Sequence, residues 1–160
     1  MAGVYGCLRV LEPSSIYLDK YVKDCGIPQF SDMPYHSTLI VDHEGSHFIP
    51  MSESIHRARP IGLGVFKSQT GTNCLVLHLS APTMIFRHVQ LVVDHDLIHA
   101  FPDYRPHVTL SYDIGNFNYL DLPNFEREII LGDETLRPVF SKPSKSERWN
   151  KIQKMLSASM

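Results

Sequence analysis

Apolar and polar residues alternate along the chain with two different periods, and these periods predict strands and helices in a mixed order. Short runs rich in apolar and β-branched residues predict strands at 4–11, 36–41, 61–67, 73–79 and 107–112. Apolar positions spaced three and four apart predict helices at 13–25, 83–99 and 144–156. A proline opens the first helix and Gly26 follows it, as is common at helix ends. Near the end of the pattern, 127–131 and 136–140 form either a hairpin around Gly132 and Asp133 or one bent strand.

The order strand, helix, strand occurs twice, and each copy ends in the same short motif. The run DMPYHSTL begins at Asp32 and the run DYRPHVTL begins at Asp103, an offset of 71 residues (103 minus 32). Both runs follow the pattern D-x-x-x-H-x-T-L. H-x-T alone is a weak signal, but the shared aspartate and leucine make coincidence a poor explanation. The sequence therefore indicates an internal repeat.

The spacing within each motif has a chemical consequence. Residues i and i+2 of a strand point to the same face, so His36 projects with Thr38 and His107 with Thr109. Imidazoles titrate near neutral pH and suit general acid–base catalysis, while threonine hydroxyls can donate to phosphate oxygens. The alternative is two half-buried strands that happen to carry histidine. Tyr112, three positions after Thr109, is expected on the opposite face, in the core.

With both H-x-T motifs intact and this order of elements over about residues 4–140, the chain resembles the 2H phosphoesterases. Within that superfamily its length, the second motif HVTLSYD and the run LGDETLRPVF are similar to the phage anti-CBASS nucleases. The resemblance implies an α+β fold that is duplicated and two-lobed. Two pseudo-symmetric halves, about 1–68 and 72–140, would then place antiparallel sheets around a central groove. Residues 141–160 would form a C-terminal extension of a single domain spanning 1–160.

The same resemblance implies a metal-independent phosphodiesterase that hydrolyses 3′–5′ bonds of cyclic di- and trinucleotide second messengers, in phage evasion of bacterial CBASS immunity. Two other activities of the superfamily remain open: an RNA-end or 2′,3′-cyclic phosphodiesterase, and a viral 2′–5′ oligoadenylate phosphodiesterase. A nucleotide-sequestering protein without activity is a further alternative. Loss of a motif histidine would mark such a protein, and both histidines are present.

The resemblance also implies roles for individual residues. His36, Thr38, His107 and Thr109 are the expected catalytic residues. Substrate binding is expected from Tyr5 in the nucleotide pocket, from Glu134 as an acidic base-reading residue and from Phe140 as an aromatic stacker. Arg105 is a candidate for a different reason: it lies two positions before His107, where it either pairs with a phosphate or is a surface charge. Phe140 stands where the family pattern has tryptophan, so Trp149 is a competing stacker.

Two histidine pairs have the spacing of metal ligands. HEGSH, from His43 to His47, matches the zinc-protease pattern H-E-x-x-H, which requires a helix. Asp42 before it and Gly45-Ser46 within it favour a turn. His95 and His99 lie on the predicted helix 83–99, where a solvated polar face explains them as well. We therefore expect no metal and no cofactor.

The overall composition narrows the class of partner. A net charge of −2 gives no basic surface for long nucleic acids or anionic membranes. No 18-residue apolar run and no secretory signal pattern are present, so a cytoplasmic protein is expected. The three cysteines Cys7, Cys25 and Cys74 are odd in number and far apart, which favours reduced thiols. Oligomeric state is left open.

Overall fold

The computed structural model describes residues 2–29, 32–101 and 103–140, with the backbone alone at Ala2 and Phe140. Within these ranges the chain forms six strands and two helices. The elements are β1 (Ala2–Val10), α1 (Ser14–Asp24), β2 (His36–Asp42), β3 (His56–Lys67), β4 (Asn73–Ser80), α2 (Pro82–Asp94), β5 (His107–Ser111) and β6 (Ile129–Phe140). The α+β class expected from the sequence is confirmed.

The six strands make one open antiparallel sheet in the order β2-β1-β6-β3-β4-β5. The two strands that carry the H-x-T motifs, β2 and β5, are therefore its two edge strands. They nevertheless contact each other, because the sheet curls until its edges meet. This curvature brings together two motifs that lie 71 residues apart (107 minus 36) in the sequence.

Both helices pack on one face of the sheet and leave the other face open. The side chains of β1 alternate between the two faces of the sheet. Val4 and Leu8 are buried in the core, whereas Tyr5 and Arg9 point to the open side. The largest fully buried side chains are Leu8, Leu18, Leu39, Ile40, Leu75, Leu77, Met84, Leu91, Leu97, Leu110, Ile129 and Leu131. Full burial of such a side chain contributes about 1.5–3 kcal/mol. Among the described residues, neither helix is long and apolar enough to cross a membrane.

Three boundaries differ from the sequence expectation. Helix α2 ends at Asp94 rather than at residue 99, because the chain turns at Asp96, where φ is +54°, and buries Leu97. Strand β3 begins at His56, five residues earlier than expected, since its first residues pair with β6. Of the two alternatives for 127–140, the bent strand is the correct one. The expected helix 144–156 lies outside the described residues.

The bend in β6 is a β-bulge at its pairing with β1. Cys7 is opposite Thr135, but Arg9, two residues on, is opposite Gly132, three residues back. The extra residue on β6 allows Leu131 and Glu134 to face the core while Asp133, with φ of +49°, faces the open side. Bulges commonly redirect side chains in this way.

Candidate active site

The two motif histidines have the same local geometry. His36 Nδ1 lies 3.1 Å from the carbonyl oxygen of Pro34, and His107 Nδ1 lies 2.8 Å from that of Arg105. A carbonyl oxygen can only accept a hydrogen bond, so Nδ1 carries the proton in both rings. In the neutral form each ring therefore keeps its Nε2 lone pair for chemistry.

The threonines accompany the histidines as the strand period predicts. His36 and Thr38 are half-buried and alternate with the buried Ser37 and Leu39. In β5 the half-buried His107 and Thr109 alternate in the same way with buried residues. Each motif thus presents an imidazole and a hydroxyl on one face of an edge strand.

The motif histidines are close enough for His36 to affect the pKa of His107. Burial lowers the pKa of His107. The hydrogen bond to the Arg105 carbonyl opposes this effect, and the nearby His36 lowers the pKa by a smaller amount. Two imidazoles in such proximity do not readily hold a proton each. A state with one neutral and one protonated ring is the arrangement that paired acid–base chemistry requires.

Tyr5 lies at the first motif. Its hydroxyl is 3.0 Å from Thr38 Oγ1, and burial raises its pKa, so the hydroxyl remains protonated. The sequence expectation placed Tyr5 in the nucleotide pocket, and its ring does line a cavity beside His36.

That cavity has a volume of about 630 Å³ and lies on the open face of β1 and β6. Its lining residues are Tyr5, Cys7, Arg9, Met33, Pro34, Tyr35, His36, Tyr112, Asp133, Thr135 and Arg137. Arg9, Asp133, Thr135 and Arg137 were missed by the sequence reasoning. The period-2 pattern Tyr5-x-Cys7-x-Arg9, extended to β6, is the signal that predicts such a face.

A family model described as "Anti-CBASS protein Acb1" matches residues 2–146, which include both motifs and all six strands described above. This chain belongs to the anti-CBASS protein Acb1 family.

Phage proteins of the Acb1 family share about a third of their residues with the chain over the matched segments. The chain is 31% identical over 91 residues to the anti-CBASS protein Acb1 of Vibrio phage KVP40, which covers 57% of each protein. It is 36% identical over 87 residues to that of Enterobacteria phage T4, covering 52% of this chain and 54% of the relative. For Acinetobacter phage Ac42 the identity is 35% over 80 residues, with 50% and 52% covered. The matches span a little over half the length of these relatives.

Tyr112 of this Acb1-family chain lies on the open face, so the expectation of core packing is wrong. It is 40% exposed, and its hydroxyl lies 3.8 Å from Met33 Sδ. Burial of part of the ring raises the pKa of Tyr112, while the nearby Thr109 hydroxyl lowers it. The strand alternation fails here because the pairing of β5 with β4 shifts register between Thr109 and Ser111, where β5 also ends.

Glu134 is not where a base-reading residue is expected. Its side chain is buried, with the residue only 1% exposed, and it faces away from the cavity. Arg87 donates to both carboxylate oxygens at 2.9 Å, and the Met51 backbone N–H donates to Oε2 at 2.7 Å. These bonds occupy the carboxylate within the fold. The acidic side chain that reaches the cavity is its neighbour Asp133.

The remaining expected binding residues divide into two groups. The Arg105 side chain is exposed and lies 3.7 Å from the Asp103 carboxylate, while its backbone carbonyl orients His107. The Phe140 side chain and Trp149 lie outside the described residues.

Neither metal-like histidine pair lies on a helix. His43 and Glu44 form a turn directly after β2, as the sequence favoured. His95 follows the end of α2, and His99 Nδ1 accepts a hydrogen bond of 3.1 Å from the Val41 backbone N–H. In the described part of the chain no cluster of three His, Cys, Asp or Glu side chains is suited to hold a metal ion. The three cysteines are free thiols.

Proposed function

We propose that this Acb1-family chain is a metal-independent phosphodiesterase that hydrolyses 3′–5′ bonds of cyclic di- and trinucleotide messengers. The observation that carries the proposal is the pair of half-buried histidines, each with Nδ1 bonded to a backbone carbonyl, Nε2 available, and a threonine beside it. The phage relatives are named as anti-CBASS proteins, which supports action against CBASS signalling in the host cytoplasm.

The proposed reaction uses each histidine twice. His36 Nε2 removes the proton from a ribose 2′-hydroxyl, and the 2′-oxygen attacks the adjacent phosphorus. The bond from phosphorus to the 5′-oxygen breaks, and His107 donates a proton to that oxygen. A 2′,3′-cyclic phosphate results. In the second step His107 removes a proton from water, the hydroxide opens the ring, and His36 returns a proton to the leaving ribose oxygen.

The hydroxyls of the site stabilise the reacting phosphate. Thr38 and Thr109 donate to its non-bridging oxygens, where negative charge increases in the transition state. Tyr5 supports Thr38 through the 3.0 Å contact of their hydroxyls. Positive charge on the cavity wall from Arg9 and Arg137 suits a ligand with a second phosphate.

We also propose that the fold is a duplication within one domain, with halves at about 1–68 and 72–140. The strand pairings support this: Arg9 is opposite His36 in the first half, as His78 is opposite His107 in the second. The threonines repeat this relation. Thr38 is opposite Cys7, two positions before Arg9 on β1, and Thr109 is opposite Val76, two positions before His78 on β4. Two related lobes around one groove follow from this arrangement.

The proposal is tested by a panel of substrates with the purified chain. The panel contains 3′,3′-cyclic GMP-AMP, cyclic di-AMP, a cyclic trinucleotide, 2′–5′ oligoadenylate and an RNA with a 2′,3′-cyclic phosphate end. We expect cleavage of the cyclic oligonucleotides, resistance of their 2′-deoxy analogues, and an unchanged rate in EDTA. Hydrolysis of 2′–5′ oligoadenylate alone would instead make the chain a 2′–5′ oligoadenylate phosphodiesterase. Hydrolysis of the RNA end alone would make it an RNA-end phosphodiesterase.

Variants of the two histidines test the catalytic assignment. His36→Ala and His107→Ala should each lower kcat by about 10²–10⁴ or more, because each removes one proton-transfer group. His47→Ala, an exposed histidine outside the cavity, is the matched control and should retain activity. Full activity in either motif variant, with the fold intact by circular dichroism, contradicts the mechanism.

A further inference from the structure

One tyrosine hydroxyl joins the two edges of the sheet that carry the motifs. Tyr104 lies three residues before His107, in the segment that leads into β5, and its hydroxyl donates to the Thr38 carbonyl on β2 at 2.9 Å. Burial raises the pKa of Tyr104, so the hydroxyl stays protonated and remains a donor. Since β2 and β5 are opposite edges, the described strand ladders do not pair them with each other. The Tyr104 side chain therefore makes a connection that the backbone ladders do not.

The ring of Tyr104 is held in one orientation by its aromatic neighbours. It stacks on His88 with a centroid distance of 3.9 Å and an interplanar angle of 6°, and His99 contacts it edge to face at 5.7 Å. His88 Nδ1 in turn donates to the Leu39 carbonyl at 2.6 Å. Aromatic contacts of these geometries are favourable. A ring fixed in this way restricts where the Thr38 carbonyl can lie while its hydrogen bond is kept.

The contact reaches both motifs within a few residues of their chemical groups. On β2 it holds the backbone of Thr38, two residues after His36. On the other side Tyr104 directly precedes Arg105, whose carbonyl lies 2.8 Å from His107 Nδ1. A displacement at the Tyr104 hydroxyl would therefore move the first motif relative to the imidazole of the second.

The first motif has a related contact at the matching position. In the runs DMPYHSTL and DYRPHVTL the second residues are Met33 and Tyr104. The Tyr112 hydroxyl, just after β5, donates to Met33 Sδ at 3.8 Å. Each motif thus uses its second residue to contact the opposite edge of the sheet. Thioether sulfur is a weak acceptor, so the bond of Tyr104 is the stronger of the two.

We propose that Tyr104 is a positioning residue, whose hydroxyl sets the placement of His36 and Thr38 relative to His107. This inference rests on the proposed function, because the placement matters only if both motifs act on one phosphate. Proton transfer requires its groups at hydrogen-bond distance, and a misplacement of about 1 Å can lower a rate about 10²-fold. Tyr104 is not among the residues that line the described cavity. Its effect should therefore fall on kcat rather than on substrate binding.

Tyr104→Phe tests the proposal, because it removes the hydroxyl and keeps the ring that stacks on His88. With cyclic di-AMP and the full chain, kcat should fall about tenfold while KM stays within about twofold. Tyr21→Phe is the matched control, since the Tyr21 hydroxyl also donates to a carbonyl, that of Pro123, at 2.6 Å. Tyr21 lies on α1 outside the described cavity, so this variant should keep the wild-type kcat. Urea unfolding of both variants verifies that the loss of stability is similar.

Two further measurements separate positioning from binding and from general stability. In a His36→Ala background, Tyr104→Phe should leave the Kd of cyclic di-AMP within about twofold by calorimetry, because no contact to the ligand is removed. Replacement of Tyr104 by 4-aminophenylalanine keeps the ring and supplies an N–H donor. It should restore kcat to within about threefold of the wild type, since the bond to the Thr38 carbonyl can form again.

Each other outcome contradicts the positioning role. An unchanged kcat in Tyr104→Phe, with a wild-type chain that cleaves cyclic dinucleotides, overturns this inference and leaves the proposed function standing. The same holds if KM and Kd rise while kcat is kept, which would make Tyr104 a binding residue. An equal fall of kcat in Tyr21→Phe would reduce the effect to lost stability. A wild-type chain inactive on every member of the substrate panel overturns the proposed function together with this inference.

Discussion

At the scale of single residues, backbone carbonyls decide which nitrogen of each motif histidine keeps its lone pair. The carbonyls of Pro34 and Arg105 each bond the Nδ1 of the histidine two positions later. The contact is local and depends on the turn of chain that leads into each strand. It explains why two motifs from distant parts of the sequence present their imidazoles in the same tautomer.

Glu134 and Asp133 differ in environment although they are neighbours in sequence, and this difference can be tested. Glu134→Gln should lower the free energy of unfolding by about 3–5 kcal/mol, because it leaves the buried Arg87 charge without its partner. Asp133→Asn, on the exposed side of β6, is the matched control and should change stability by less than about 0.5 kcal/mol. Urea unfolding measures both. An unaltered stability in Glu134→Gln, with altered base preference, would restore Glu134 as a base-reading residue.

At the scale of elements, the outer edge of β2 is held by side chains rather than by another strand. The Tyr104 hydroxyl donates to the Thr38 carbonyl at 2.9 Å, and His88 Nδ1 donates to the Leu39 carbonyl at 2.6 Å. His99 Nδ1 accepts from the Val41 N–H at 3.1 Å. Edge strands present unpaired backbone groups, and these bonds satisfy them. The strand that carries His36 is thereby fixed to the segment that leads into β5.

We expect this edge to make the stability of the protein depend on pH. Burial, with a smaller contribution from the nearby His88, lowers the pKa of His99 from 6.5 to about 4; burial also lowers the pKa of His88. The folded state therefore binds fewer protons than the unfolded state between these values, and stability rises with pH there. We expect full stability above about pH 6.5 and a loss on the order of 1–2 kcal/mol by pH 5, after allowance for partial solvent screening.

Urea unfolding at several pH values between 5 and 8 measures this effect. His99→Asn supplies an acceptor that does not titrate in this range, so its stability should vary less steeply with pH. The groups that face His99 are His88, Phe101 and Tyr104, of which only His88 titrates near these values. An equal slope in wild type and His99→Asn would remove His99 as the cause.

At the scale of the whole molecule, the candidate site exists only because the sheet curls. β2 and β5 are the opposite edges of six strands, and each supplies one imidazole and one hydroxyl. Neither β2 nor β5 alone carries both motif histidines, so the pair forms only where the two strands meet. Because the edges meet, His36 lies close enough to His107 to lower its pKa by a small amount.

The closure predicts a bell-shaped dependence of kcat/KM on pH. One imidazole must be neutral and the other protonated, so the rate should fall on both sides of an optimum. Because burial lowers the pKa of His107, one limb of the bell should lie below pH 6.5. Steady-state rates on a cyclic dinucleotide from pH 4.5 to 9 measure the profile. A flat profile across this range is inconsistent with paired histidines.

The sequence by itself determined what depends on neighbouring residues. The two H-x-T motifs, their period-2 projection and the strand–helix–strand order follow from local spacing. The role of Tyr5 in a nucleotide pocket came from the resemblance and stays a prediction. The turn at HEGSH was predicted from its own Asp and Gly residues. These features depend on backbone geometry that a few adjacent residues set.

Only the tertiary structure decided the features that depend on register and burial. A one-residue bulge exchanges the faces of a strand, which is why Tyr112 lies in the open and why Asp133, and not Glu134, lines the cavity. The end of α2 depends on Leu97 reaching the core, and the meeting of His36 with His107 depends on the curvature of the whole sheet. Such outcomes are set by the packing of residues far apart in the chain, and no local pattern contains them.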